Sequence, residues 1–347
     1  VSDTPAFSDP PFTKNGRIWY SEGALQGESG LGRCCTIEAP GKINLHLAVG
    51  NRRADGYHDL VSVFVSLGFG DTLVFTDLTG DFPRNFTALE TAGPFSGAEG
   101  LSSGENIVAR AAALFREKTG YDRPLQIALE KRIPPGGGLG GGSSDAASAL
   151  LALNALAETC LDGGELEDIA EKLGSDVPFF LSGGMALVTG RGERVESLEM
   201  PPGRLPVVLI NPGFSSGTAA AFAKLDKFRA RGIKIADYFG RLFGRKYPDG
   251  ESLIRSFGEN PASWPYVNDF LPVLLKDREH GAAYKGIFRD LRDLGADFSG
   301  LSGSGSTCFG IFADKESAEK AVDALFRSWS FVKLTFFLAR RPKPVLE

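Results

Sequence analysis

From Ile43 the chain alternates apolar and polar positions. Ile43, Leu45, Leu47 and Val49 fall on one face of a predicted strand, and Lys42, Asn44 and His46 on the other. His46 reads as a packed polar residue. Further strands are predicted over residues 125–129, 205–209 and 332–338, a strand and turn over 185–195, and a strand after the Gly/Ser turn within 301–312. Helical spacing predicts a helix over residues 105–118, with Ile107, Ala111, Leu114 and Phe115 as its buried stripe. Residues 146–154 form another, capped by Ser143-Ser144-Asp145. Helices are also expected over 165–173, within 268–294 and over 318–326. Val177 precedes Pro178 and is biased toward an extended conformation. Strands and helices follow one another irregularly, which predicts an α+β fold and not a doubly wound sheet.

The chain has 347 residues, enough for two domains with cores of their own. The expected division is an extension (1–33), a first domain (34–200) and a second (201–347), with the boundary near Pro201-Pro202. The extension is rich in Ser, Gly and Pro and is expected to be partly ordered, with Phe7, Phe12, Trp19 and Tyr20 available to pin it. Residues 226–264 are rich in Arg, Lys and aromatics (Arg229, Arg231, Lys234, Tyr238, Arg241, Arg245, Lys246) and read as a solvated helical insertion.

A net charge of -5 argues against a nucleic-acid partner. The scattered Cys34, Cys35, Cys160 and Cys308 give neither a disulfide framework nor metal-ligand spacing, which points to a reducing, cytoplasmic setting without a protein zinc site. No apolar run reaches the length of a membrane span, and the opening segment lacks a secretory pattern, so no membrane partner is expected.

Candidate chemistry concentrates in K-R-I-P-P-G-G-G-L-G-G-G-S-S-D-A-A, residues 131–147. Glycines 136–138 and 140–142, broken by Leu139, let main-chain amides converge as an anion requires. They lead into a helix N-terminus, a ready phosphate site. No lysine follows Gly142, so this is not a P-loop. The Gly136-x-Gly138-x-x-Gly141 match is followed by a helical pattern, where a dinucleotide fold needs a strand ending in an acid. Asp55-Gly56 marks a turn in the loop 51–60 between strands. Asp176, in L-G-S-D-V-P, reads by itself as a turn residue.

The glycine run, with A-P-G-K-I-N-L at 39–45 and L-G-S-D-V-P at 173–178, resembles the GHMP kinases. R-R-A-D-G-Y-H at 52–58 is most similar to their diphosphocytidyl branch, which phosphorylates a cytidine-diphosphate-linked alcohol in the non-mevalonate isoprenoid pathway. The resemblance implies a two-domain fold, with an N-terminal domain like ribosomal protein S5 domain 2 and a ferredoxin-like C-terminal domain. It implies ATP and Mg²⁺ as cofactors, a small cytidine diphosphate substrate, and leaves room for a homodimer. It implies Asp176 as catalytic base, Lys42 to keep it ionised and screen the phosphoryl charge, and Asn44 to orient the hydroxyl.

Pro134, Pro135, Gly136, Gly137, Gly138, Leu139, Gly140, Gly141, Gly142, Ser143 and Ser144 would hold the ATP phosphates, with Asn106 near adenine. Tyr57 and His58 would hold the cytosine, with Thr218 and with Phe222 on the ring face opposite Tyr57. L-S-G-S-G-S-T at 301–307 resembles the family's third motif, which shapes the phosphate site. Asp145 departs from the neutral residue common there; it would contact magnesium or cap the helix. Two other readings stand: a homoserine- or mevalonate-type GHMP kinase, and a non-catalytic ligand sensor on the same fold. The sensor predicts loss of Lys42 or Asp176, and both are present.

Overall fold

The computed structural model describes residues 13–14, 17–18, 30–98, 101, 106–200, 205–237, 240, 248 and 250–347. The first sheet is organised by a long antiparallel hairpin, β1 (Gly30–Arg52) and β2 (His58–Thr79). Beyond β2 come β3 (Thr87–Ala92), α1 (Ile107–Thr119) and β4 (Leu125–Glu130), with β4 antiparallel to β2 and parallel to β3. Then follow α2 (Gly141–Ala157), α3 (Gly163–Leu173) and α4 (Val177–Ser182). The hairpin β5 (Met185–Gly190) and β6 (Arg194–Leu198) joins the sheet by pairing β5 with the first part of β2.

The second half holds β7 (Pro206–Asn211), α5 (Thr218–Arg229), α6 (Gly250–Arg255), α7 (Leu271–Leu274), α8 (Gly281–Asp293), β8 (Phe298–Leu301), β9 (Cys308–Ile311), α9 (Lys315–Leu325) and β10 (Phe331–Phe336). Its four strands form one antiparallel sheet in the order β8-β9-β7-β10. A last strand, β11 (Val345–Leu346), returns to pair with β1, so the tail of the expected second domain crosses back to the first sheet. The α+β expectation holds: β3–β4 is the single parallel ladder among the described strands.

Among the described residues, three large cores and a small cluster of Cys34, Val74 and Ala128 follow from this layout. One lies between the first sheet and α1–α4, where the alanine- and leucine-rich α2 is buried almost all round. A second lies under the β7–β10 sheet with α5, α7, α8 and α9. The third joins the two sheets: Ile43, Leu45, Val63 and Val65 of the hairpin meet Val207, Leu209, Phe309 and Ile311. β1 is irregular, with register shifts between Pro40 and Lys42 and between Asn44 and His46. Pro40 has no N–H to give to a regular ladder, which suits the first shift.

Several sequence expectations change. The α1 helix starts at Ile107, two residues later than a Glu105 start, because Asn106 caps it by accepting from the Val108 amide; Glu105 itself lies outside the described residues. Its buried stripe is Val108, Ala111, Ala112 and Phe115, and Ile107 and Leu114 are only half-buried. The α2 helix begins at Gly141, so Ser143-Ser144-Asp145 lie inside its first turns and do not cap it. Val177 is helical, since Pro178 falls in the first turn of α4, where its missing N–H costs nothing.

The described part of the segment 226–264 is not wholly solvated. Leu253, Phe257 and Trp264 are buried in the core that joins the sheets, and Arg229 donates to the carbonyls of Val49 and Gly50 and pairs with Asp269. Tyr238, Arg241, Arg245, Lys246, the Pro201-Pro202 boundary and most of the N-terminal extension, including Phe7, Phe12, Trp19 and Tyr20, fall outside the described residues.

Candidate active site

Residues 134–140 cross between β4 and α2 with their carbonyls turned toward the protein. The Gly136 carbonyl accepts from the Ser216 amide, Gly137 from the Thr307 amide, Gly138 from the Ser302 hydroxyl and Leu139 from the Lys42 amide. The other face of the loop therefore carries amides, and those from Gly138 to Gly142 find no acceptor among the described residues. Two glycines are required by geometry. Gly138 has φ +79°, and a Cβ there would lie 2.2 Å from the Ser302 carbonyl oxygen. Gly140 has φ +71°, and its Cβ would lie 2.8 Å from the Phe180 ring. The loop ends as the cap of the 17-residue α2, which has no side-chain cap, so that helix's first amides and positive dipole end stay open. An anion belongs there.

These amides line a cleft of about 530 Å³ that also holds Lys42, Asn44 and Asp176. Lys42 Nζ donates to Asn44 Oδ1 at 2.6 Å, lies 4.4 Å above the Phe64 ring and sits 3.6 Å from Asp176 Oδ2. Burial holds the Lys42 ammonium below the usual lysine range, with Asp176 partly opposing the shift. Asn44 is fixed from three sides: it also accepts from the Gly303 amide and donates to Ser62 Oγ. Asp176 precedes α4, half-exposed and facing the cleft. The lysine and asparagine of β1 thus reach a carboxylate more than a hundred residues away in the chain, and the glycine loop's amides lie beside all three. His46 leaves that face: its Nδ1 accepts from the Val267 amide at 3.3 Å, and it is packed, as expected.

The other end of the cleft is walled by Asn106, Ile107, Lys131, Ile133 and Asp145. Both groups of the Asn106 side chain are engaged, in the α1 cap and with the Leu101 carbonyl. Asp145 neither caps α2 nor stands alone. Lys131 Nζ lies 2.7 Å from Asp145 and 2.5 Å from Asp71, all three buried. Asp71 also accepts from the amides of Arg132 and Ile133. Burial, and then the nearby Asp71, raise the Asp145 carboxyl well above the usual range. The burial of Lys131 is outweighed by the two carboxylates, which hold its proton more tightly.

Thr218 and Phe222 also line the cleft, on α5. Three expected residues do not. The Ser144 side chain is buried, and its hydroxyl has no partner among the described residues. Tyr57 is exposed at the hairpin tip, with the Arg191 guanidinium 5.0 Å from its ring centre. His58 is buried, bonded through Nε2 to Asp226 at 2.9 Å, and its ring stacks on Phe222 at 4.9 Å. Phe222 thus packs face to face with His58. Ser302 and Gly303, from the motif expected to shape the phosphate site, bond to the glycine loop and to Asn44; the unforeseen members of the site are the Asp71–Lys131 pair. Lys131 opens the glycine-rich stretch, but Asp71 lies sixty residues before it, and nothing local signals the pairing.

The GHMP kinases N terminal domain profile matches residues 106–184, and the GHMP kinases C terminal profile matches residues 259–330. A Treponema pallidum (strain Nichols) protein named 4-diphosphocytidyl-2-C-methyl-D-erythritol kinase is 36% identical over 297 residues, covering 85% of this chain and 95% of its own. One of the same name from Anaeromyxobacter sp. (strain K) is 39% identical over 292 residues, 83% of each chain. A crystal structure of 4-(cytidine 5'-diphospho)-2C-methyl-D-erythritol kinase superposes with a TM-score of 0.67 at 34% identity, covering 87% of this chain and 98% of that one. A homoserine kinase from Cytophaga hutchinsonii, at 16% identity and a TM-score of 0.64 over 93% of this chain and all of that one (100%), shares the fold.

Proposed function

Since the chain belongs to the 4-diphosphocytidyl-2-C-methyl-D-erythritol kinases of the GHMP superfamily, we propose that it transfers the γ-phosphoryl group of ATP to the 2-hydroxyl of 4-diphosphocytidyl-2-C-methyl-D-erythritol, in the non-mevalonate route to isoprenoid precursors. The observation that carries the chemistry is the Lys42–Asp176 pair, 3.6 Å apart at the mouth of an amide-lined loop.

Phosphoryl transfer needs a held donor, an oriented hydroxyl and neutralised charge. The amides of Gly138 to Gly142 and the α2 dipole hold the triphosphate. Asp176 accepts the proton of the acceptor hydroxyl as its oxygen bonds to the γ-phosphorus. The bond to the bridging oxygen breaks, and ADP leaves. Lys42 faces the charge gathering on the transferring group, and Asn44, braced by Gly303 and Ser62, orients both. The acceptor's cytidine end lies toward Tyr57, His58, Thr218 and Phe222.

Mg²⁺, if bound with the nucleotide, would supply further charge neutralisation. Asp145 and Asp176 are the carboxylates on the described cleft wall, and Asp145 is committed to Lys131. That donor set suits an ion carried mainly by phosphates and water, with Ser143 as a candidate hydroxyl ligand. The four unpaired cysteines fit a cytoplasmic, reducing compartment.

The test is ADP release with ATP and magnesium, comparing the cytidine-linked acceptor with homoserine and mevalonate. Turnover should require the cytidine-linked acceptor, and Asp176→Asn should lower it by roughly 10²–10⁴ while nucleotide still binds. Turnover with mevalonate or homoserine alone would refute the assignment.

A further inference from the structure

The α5 helix serves two clefts. Its Thr218 and Phe222 line the catalytic one. Lys224 and Lys227, three residues apart on a common side of the helix, line another, and Arg231 joins them just past the helix end. The turn between α7 and α8 brings Lys276 and Arg278 to the same place. These five cations border a cleft of about 450 Å³ that shares no lining residue with the catalytic one. Its apolar part is the buried Phe228 and Val273.

The two carboxylates of this cleft do not balance its charge. Asp277 is committed to Lys224, whose Nζ lies 2.5 Å away, and accepts from the amides of Glu279 and His280. Glu279 lies 3.7 Å from His280. Lys276 Nζ is 5.2 Å from the centre of the Phe228 ring. Lys227, Arg231 and Arg278 are exposed and make no salt bridge among the described residues. The dipole of α5 accounts for part of this, since it favours cations near the helix C-terminus. It does not account for Lys276 and Arg278, which another element supplies. In a chain of net charge -5 such a concentration is not a matter of composition. Like charges around one concave surface repel each other and raise the local concentration of anions. Two guanidiniums offer forked donors that match phosphate oxygens, and cations on two walls suit a ligand with more than one phosphate.

We propose that this cleft is a second anion site, which takes a diphosphate group and is separate from the donor and acceptor sites. A bound diphosphate ties α5 to the turn between α7 and α8. The site stands whatever the acceptor of the catalytic cleft.

The experiment measures binding of inorganic diphosphate by calorimetry to protein already carrying one equivalent of ADP, with melting temperature to check folding. One equivalent should bind, and orthophosphate should bind about tenfold or more weakly. Lys227→Gln/Arg231→Gln should weaken diphosphate by about tenfold or more. Lys285→Gln/Arg327→Gln, which removes the same charge from exposed positions outside the cleft, should change it less than about twofold. A second equivalent of ADP that competes with diphosphate would identify the ligand as a nucleotide's diphosphate end, and its failure to compete would identify the free anion; both support the site. Unchanged binding in Lys227→Gln/Arg231→Gln would place the anion elsewhere and overturn the proposal. Equal losses in the two double variants would reduce the effect to net charge and overturn it too, as would a wild type that binds no diphosphate or binds orthophosphate as well.

Discussion

His46 shows how burial turns a single residue into a pH sensor of stability. Burial pushes its imidazole down to about 3, against an ordinary value near 6.5, and its Nδ1 must stay unprotonated to accept from the Val267 amide. Below pH 6.5 the unfolded chain takes up a proton that the native state refuses. The native state therefore loses stability as the pH falls from 6.5 toward 3, by up to roughly 1.4 kcal/mol per unit. In His46→Phe this slope should vanish. The stability difference between wild type and variant, measured by urea unfolding at several pH values, should shrink steadily below pH 6.5, although leaving the Val267 amide unpaired costs the variant about 1–3 kcal/mol at neutral pH. A constant difference would mean that His46 is charged in the folded protein. Lys42, shifted down by the same cause, keeps the Asp176 carboxylate at hand to moderate it.

At the scale of the element, the glycine loop is shaped by what it is tied to. Ser302, Thr307 and Ser216 each take one of its carbonyls, and the loop's amides face the cleft as a result. Gly138→Ala should force the loop away from the Ser302 carbonyl. The expected outcome is a rise of roughly tenfold or more in KM for ATP, a smaller change in the acceptor's KM, and about 1–3 kcal/mol of lost stability from the positive φ alone. Steady-state kinetics with each substrate varied in turn would check this. An unchanged KM for ATP would mean that the loop's backbone does not hold the nucleotide.

Across the whole molecule, the join between the sheets matters more than either half. Trp264 is buried against Phe257, Tyr266 and Phe298 in that join, within a segment whose composition suggested a solvated insertion. Trp264→Ala should cost about 3–5 kcal/mol, read by thermal or denaturant unfolding, where a surface tryptophan would cost almost nothing. The motifs and the α+β class were legible in the sequence, because glycine spacing, turn residues and hydrophobic period act over short stretches of chain. Element ends were less so: the α2 start and the helical Val177 were set by packing and by where Pro178 could sit without cost. Contacts between distant segments were not legible at all. Asp71 beside Lys131, Asp226 on His58 and Arg191 over Tyr57 each join residues far apart in the chain, and only the folded chain brings them together. Local pattern fixes which groups can do chemistry; the long-range burial of β1 on both faces decides which of them meet.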